Sequence, residues 1–118
     1  MLKNFRELKV WQKSYGLCLE LYGITKKFQK EEKYGLTSQI RRSAMSIPSN
    51  IAEGYGRKTT ADYLRSLYIA YGSVCELETQ VFHLVTGLCP VMLGSIRGSA
   101  STPILYECSD LRQSLKAI

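Results

Sequence analysis

Apolar residues recur every three to four positions in four separate stretches of this chain, and no stretch alternates as a half-buried strand would. The first stretch predicts a helix over about residues 4–28. Val10, Leu17, Leu21, Ile24 and Phe28 share one stripe, interrupted only by Ser14. Leu8, Trp11, Tyr15, Cys18 and Tyr22 form a second stripe about 100° away. A helix packed into a simple bundle needs one apolar face only a little over ~100° wide. The aromatic surplus marks Trp11, Tyr15 and Tyr22 as a subunit interface, where such side chains are favoured. Packing beneath a neighbouring loop is the alternative.

The second helix is expected over 36–54, with Ile40, Ala44, Ile47 and Ile51 on its buried side. Pro48 lies on the same helix and cannot donate the usual backbone hydrogen bond, which predicts a kink or opening near Ala44–Ser46. Gly54-Tyr-Gly56 is expected to end it. Thr59-x-x-Asp62 then resembles a capping box for a third helix over 60–87. Its seam is read as Leu64, Leu67, Tyr71, Val74, Glu78, Val81, Val85 and Leu88, with Glu78 its charged member. Residues 88–101, rich in Gly and Ser, read mostly as loop. Thr102-Pro103 supplies a cap and a first-turn proline for a fourth helix over 103–117, carrying Ile104, Cys108, Leu111, Leu115 and Ile118. The economical arrangement is all-α: a single domain over 1–118 folded as an antiparallel four-helix bundle.

The 118 residues suffice for one hydrophobic core without a staple. The N-terminus is charged where a signal peptide would be apolar, and no run approaches the ~20 apolar residues of a membrane span. A cytoplasmic protein with no membrane association is expected. Cys18, Cys75, Cys89 and Cys108 have no close pairing, and His83 is the single histidine. No zinc-type spacing results, so no metal and no cofactor are expected. The thiols are read as reduced and mostly buried.

Charge changes the picture more than composition does. Of the 16 basic residues, 13 lie in residues 1–68 together with 6 acidic ones, whereas residues 69–118 carry 3 and 4. Such an excess suits an anionic partner such as nucleic acid, and ordinary solubilising charge is the alternative. Arg6, Lys9 and Lys13 are spaced as a basic ridge on the first helix, suited to phosphate or simply to water. Arg41 and Arg42 point about 100° apart, so one can pair with Glu78 while the other faces solvent and phosphate. Arg57 and Lys58, beside the start of the third helix, can hold a phosphate oxygen or form a solvated turn. Gly54-Tyr-Gly56-Arg57-Lys58-Thr59 is not a Walker loop, because arginine separates glycine from lysine and a helix precedes it. Ser43, Ser46, Asn50 and Glu53 line up beside the apolar stripe. With Glu78 they read as a polar network fixing helix register around the proline. No nucleophile, base and orienting group assemble, so no enzyme is expected.

Four blocks carry a family resemblance: Phe5-Arg-Glu-Leu8-Lys-Val-Trp11-Gln, Tyr34-Gly-Leu36-Thr-Ser-Gln39-Ile-Arg41-Arg42-Ser-Ala, Ser46-Ile-Pro48-Ser-Asn50-Ile-Ala-Glu53-Gly54 and Ala70-Tyr-Gly72-Ser-Val-Cys-Glu76-Leu-Glu78. Over about residues 5–87 the chain resembles the four-helix-bundle proteins encoded in bacterial 23S rRNA intervening sequences. The resemblance implies an up-down-up-down bundle assembled into a homopentameric ring. It also implies similarity to the accessory variability determinant of diversity-generating retroelements, which binds nucleic acid and a reverse transcriptase. By that likeness Arg41, Arg42, Arg57 and Lys58 are the expected nucleic-acid contacts. Gln29 departs from the family's usual proline, and residues 88–101 lack its acidic, leucine-rich lead into the last helix. The expectation is a non-enzymatic oligomer binding RNA or DNA. The alternative is a scaffold for a protein partner with no nucleic-acid role.

Overall fold

The computed structural model describes residues 4–26, 35–86 and 101–116, the side chains of 84–86 and 101–103 excepted. Of the predicted loop over 88–101, residues 88–100 lie outside the described residues and Ser101 is helical; Phe28, Gln29 and Ile118 also lie outside. Among the described residues there are four α-helices and no strand: α1 (Lys9–Thr25), α2 (Leu36–Tyr55), α3 (Thr60–Thr86) and α4 (Ser101–Lys116).

The N-terminal segment is not one helix from residue 4. Asn4 accepts the Arg6 amide on its side chain at 2.8 Å, closing a short 3₁₀ turn over Phe5–Glu7. Leu8 is then extended (φ −70°, ψ 126°), and α1 starts afresh after it. Arg6 is therefore out of helical register with Lys9 and Lys13, and the expected three-residue ridge is broken. Along α1 the buried residues are Val10, Ser14, Leu17, Cys18, Leu21 and Thr25, while Ile24 is half-buried. The Ser14 hydroxyl satisfies itself on the Trp11 carbonyl at 2.8 Å.

Helix α2 continues unbroken through Pro48. Proline has no N–H, so the Ala44 carbonyl loses its i+4 donor. The buried Cys18 thiol donates to that oxygen across the α1–α2 contact, at 2.9 Å. This replaces the expected local opening with a tertiary hydrogen bond. Ile40, Ala44, Ile47 and Ile51 are all fully buried, as their spacing predicts. Gly54-Tyr-Gly56 ends the helix as expected, with Gly54 its penultimate residue. A Cβ there would lie 2.8 Å from the Ser66 Cβ, so a bare backbone lets α3 approach closely. Gly56 caps the helix with ordinary right-handed backbone (φ −82°), its amide bonding the Ala52 and Glu53 carbonyls.

Thr59 caps α3, accepting the Asp62 amide on its hydroxyl at 3.1 Å. The buried seam of α3 is Leu67, Ala70, Val74, Leu77 and Val81, with Ser66 and Ser73 beside it. It is rotated from the expected one: Leu64, Tyr71 and Glu78 lie half-exposed on its flank, and Ala70 and Leu77 take the centre. The helix is thereby spared a charge in the core. Helix α4 starts at Ser101, so Thr102 and Pro103 lie within its first turn rather than Thr102 standing outside as the cap. It buries Ile104, Cys108, Leu111 and Leu115 as expected. The closest packing is α2 on α3; α1 packs on α2 and α4, and α3 on α4.

Candidate functional site

At the C-terminal end of α1 the Tyr22 carbonyl accepts the Lys26 amide at 3.1 Å and keeps a second lone pair for another donor. Arg41, one turn into α2, reaches this end of the helix. Its Nε donates to the Thr25 hydroxyl at 2.8 Å and a terminal nitrogen donates to the Tyr22 carbonyl at 3.4 Å. The guanidinium carbon stands 4.6 Å from the centroid of the Tyr22 ring, a cation–π stack. Thr25 passes the interaction on, its own hydroxyl donating to the Leu21 carbonyl at 2.7 Å. Arg41 is thus half-buried and held in one place, and Glu78 is not its partner. That carboxylate binds Arg112 of α4 at 2.8 Å, a pairing the sequence reading did not find.

Arg42 follows about 100° further round α2 and is exposed. With Tyr22, Thr37, Ser38, Arg41, Met45, Ser46 and Ser49 it lines an open groove of about 570 Å³ at the α1–α2 junction. Ser38, Arg42, Met45 and Ser49 repeat at 4-3-4 spacing, so α2 supplies a polar stripe beside its apolar one. Ser38 and Ser49 carry no sequence signal of their own, being single serines on the exposed side of α2.

The predicted polar network forms only in part. Asn50 donates its amide to the Ser46 hydroxyl at 3.0 Å and to the Ser46 carbonyl at 2.7 Å. The Ser46 and Ser73 hydroxyls are 2.8 Å apart, and Ser73 also donates to the Ile69 carbonyl at 3.1 Å. One proton per hydroxyl makes Ser46 the donor to Ser73. This chain ties α2 to α3. Ser43 is buried outside it, Glu53 is exposed, and Glu78 serves the α3–α4 contact.

The remaining cations stand apart from the groove. Arg57 and Lys58 are exposed in the turn between α2 and α3, about 22 Å from Arg42 by helical rise. Arg6 lies against the Phe5 ring, Lys9 is exposed, and Lys13 pairs with Asp110 at 3.0 Å. The seven cations therefore form separate spots rather than one patch. Of the three aromatic candidates, Trp11 stacks on Tyr15 (centroids 5.1 Å, 8° between planes), with the Phe5 edge against it at 5.3 Å. Tyr15 is 40% exposed and Leu19, one turn on, 58%. Tyr22 is instead committed to Arg41.

One contact had no sequence signal, because it joins helices distant in the chain. Glu107 and Glu20 share a hydrogen bond between α4 and α1. Burial first, then the Glu20 charge and that bond, push the Glu107 carboxyl up to about 7. Burial likewise raises the Cys18 thiol to about 11 and Cys108 to about 12, the latter helped by Glu78 and Glu107. No group of three or more potential metal ligands is present among the described residues, and none of their helices is long and apolar enough to cross a membrane.

A family model described as 23S rRNA-intervening sequence protein matches residues 6–87, more than half of the chain. No curated protein matches it.

Proposed function

The chain belongs to the 23S rRNA-intervening sequence protein family, and we propose that it works without catalysis, as an oligomeric helical bundle that binds nucleic acid through its basic surfaces. The carrying observation is the state of Arg42, Arg57 and Lys58. All three are exposed, and the ion pairs of the described residues fall elsewhere, at Lys13–Asp110 and Glu78–Arg112. Residues 36–58 hold four basic side chains against the single acidic Glu53. Unpaired, hydrated cations cost little to bring against phosphates and release counterions when they do so.

The bundle is an antiparallel up-down-up-down one, forming a single cytoplasmic domain. Contacts between neighbouring helices support this, because they run in opposite order along α1–α2 and along α2–α3. Cys18 meets Ala44 and Thr25 meets Arg41; Ser46 meets Ser73 and Gly54 meets Ser66. Five copies close into a ring, with the Trp11–Tyr15 face of α1 covered by a neighbour. Support comes from the half-open aromatic stack and from Leu19, since exposed apolar clusters of this kind are typical of interfaces. Repeating Arg42, Arg57 and Lys58 around a ring raises their combined effect by multivalency.

The test is binding of a mixed-sequence oligonucleotide across a salt series, with the mass of the purified particle measured before and after nuclease. Affinity is expected to fall steeply with salt, by about 0.7 in log–log slope for each phosphate neutralised on a single strand. Arg57→Ala/Lys58→Ala flattens that slope. Absence of binding at low salt removes the reading. The exposed Tyr106 favours a second one, a scaffold for a protein partner. A protein that co-purifies through nuclease and high salt would select it.

A further inference from the structure

We propose that the groove at the α1–α2 junction is a built phosphoryl-binding site, with Arg42 as its mobile cation and Thr37 and Ser38 as its hydroxyls. The inference deepens the nucleic-acid reading and rests on it only for the source of the phosphate.

Two independent observations bear on this groove, which Thr37 and Ser38 of the first turn of α2 line. The first is the start of α2. Its cap residue is Gly35, which has no side chain to accept a first-turn amide, and no side-chain cap bond forms. Among the described residues, the amides of Leu36, Thr37 and Ser38 therefore carry the positive end of the helix without a side-chain cap. The second is Thr37. It lines the groove, is 1% exposed, and its hydroxyl has no hydrogen-bond partner among the described residues. A buried hydroxyl left unpaired destabilises a protein, whereas valine would fill the same space without that cost. Elsewhere the described buried hydroxyls of Ser14 and Thr25 bond neighbouring carbonyls, so Thr37 departs from the pattern of its own fold. A phosphoryl oxygen would accept the hydroxyl proton and remove the penalty.

The charges suit the same ligand. Arg41 is fixed on the groove wall by Thr25 and Tyr22, so its charge is present without rearrangement. Arg42 is exposed and free to close over an anion with a bidentate bond. Met45 adds an apolar surface, 40% exposed and one turn from Arg42, against which a sugar or base can rest.

The test titrates the full chain with inorganic pyrophosphate, and separately with a single-stranded oligonucleotide lacking a terminal phosphate, following the amide resonances of Leu36, Thr37 and Ser38. Both probes are expected to shift these resonances and to compete with each other. Arg42→Ala should weaken both by at least ~10-fold, and Thr37→Val by ~5-fold while leaving the unliganded protein as stable as before or more so. If pyrophosphate meets these expectations and the oligonucleotide does not bind, the site stands with a free polyphosphate as its ligand, and the nucleic-acid reading fails. If the oligonucleotide binds with unmoved amides and equal affinity in both variants, this site is overturned while nucleic-acid binding survives elsewhere. If neither probe moves the amides, the site is overturned.

Discussion

Replacing Cys18 by alanine isolates the hydrogen bond that lets α2 carry a proline. In the native fold the Ala44 carbonyl has lost its helical donor to Pro48 and takes the Cys18 thiol, at 2.9 Å. The variant leaves a buried carbonyl unpaired, which costs about 1–3 kcal/mol, near the low end because a thiol is a weak donor. Loss of the sulfur from a site 1% exposed adds about 1 kcal/mol for the emptied volume. The expected destabilisation is about 2 kcal/mol, read by urea unfolding at fixed protein concentration. Pro48→Ala returns an N–H to the Ala44 carbonyl. On that background Cys18→Ala should cost only the volume, giving a coupling of about 1 kcal/mol in the double-mutant cycle. Cys18→Ser, which keeps a donor, should fall between wild type and Cys18→Ala. Equal costs for Cys18→Ala with and without Pro48 would refute the reasoning. The thiol must stay protonated to donate. Burial holds its pKa at about 11, above the ordinary thiol value of 9.0, so this contribution is intact below pH 9 and declines as pH rises through 11.

Other outcomes follow from equally local geometry. Gly54→Ala forces a Cβ to within 2.8 Å of Ser66; overpacking of about 1–3 kcal/mol outweighs the better helix propensity of about 1 kcal/mol, and Gly54→Ala/Ser66→Gly should recover part of the loss in thermal unfolding. Glu107, raised from 4.5 to about 7, gives stability that is complete below pH 4.5 and is lost as pH rises through 7; Glu107→Gln should flatten the melting temperature across that window, with Glu20, Lys13 and Asp110 as the surrounding charges. Arg41→Lys keeps the charge but not the flat stack on Tyr22 or the directed bond to Thr25, and should cost about 1–2 kcal/mol in urea unfolding, with Arg42→Lys near neutral as the contrast.

The four helices, the isoleucine face of α2, the buried side of α4 and the Thr59 cap were legible in the chain itself. Each depends on residues within a turn or two of one another, where a 3.6-residue period and local capping decide the outcome. The rotation of α3 was not: Leu64–Leu67–Tyr71–Val74 and Leu67–Ala70–Val74–Leu77 are both apolar seams. Only the close approach of α2 over Gly54 and the withdrawal of Glu78 toward Arg112 choose between them. The candidate site divides in the same way. That α2 bears two adjacent arginines pointing apart could be read from the sequence. Which one is fixed and which one is open was set by Thr25 and Tyr22 at the end of α1, a neighbour that local periodicity cannot place. The same holds for Cys18 with Ala44 and for Glu20 with Glu107: pairings across helices depend on inter-helix register, and register emerges only when whole faces pack.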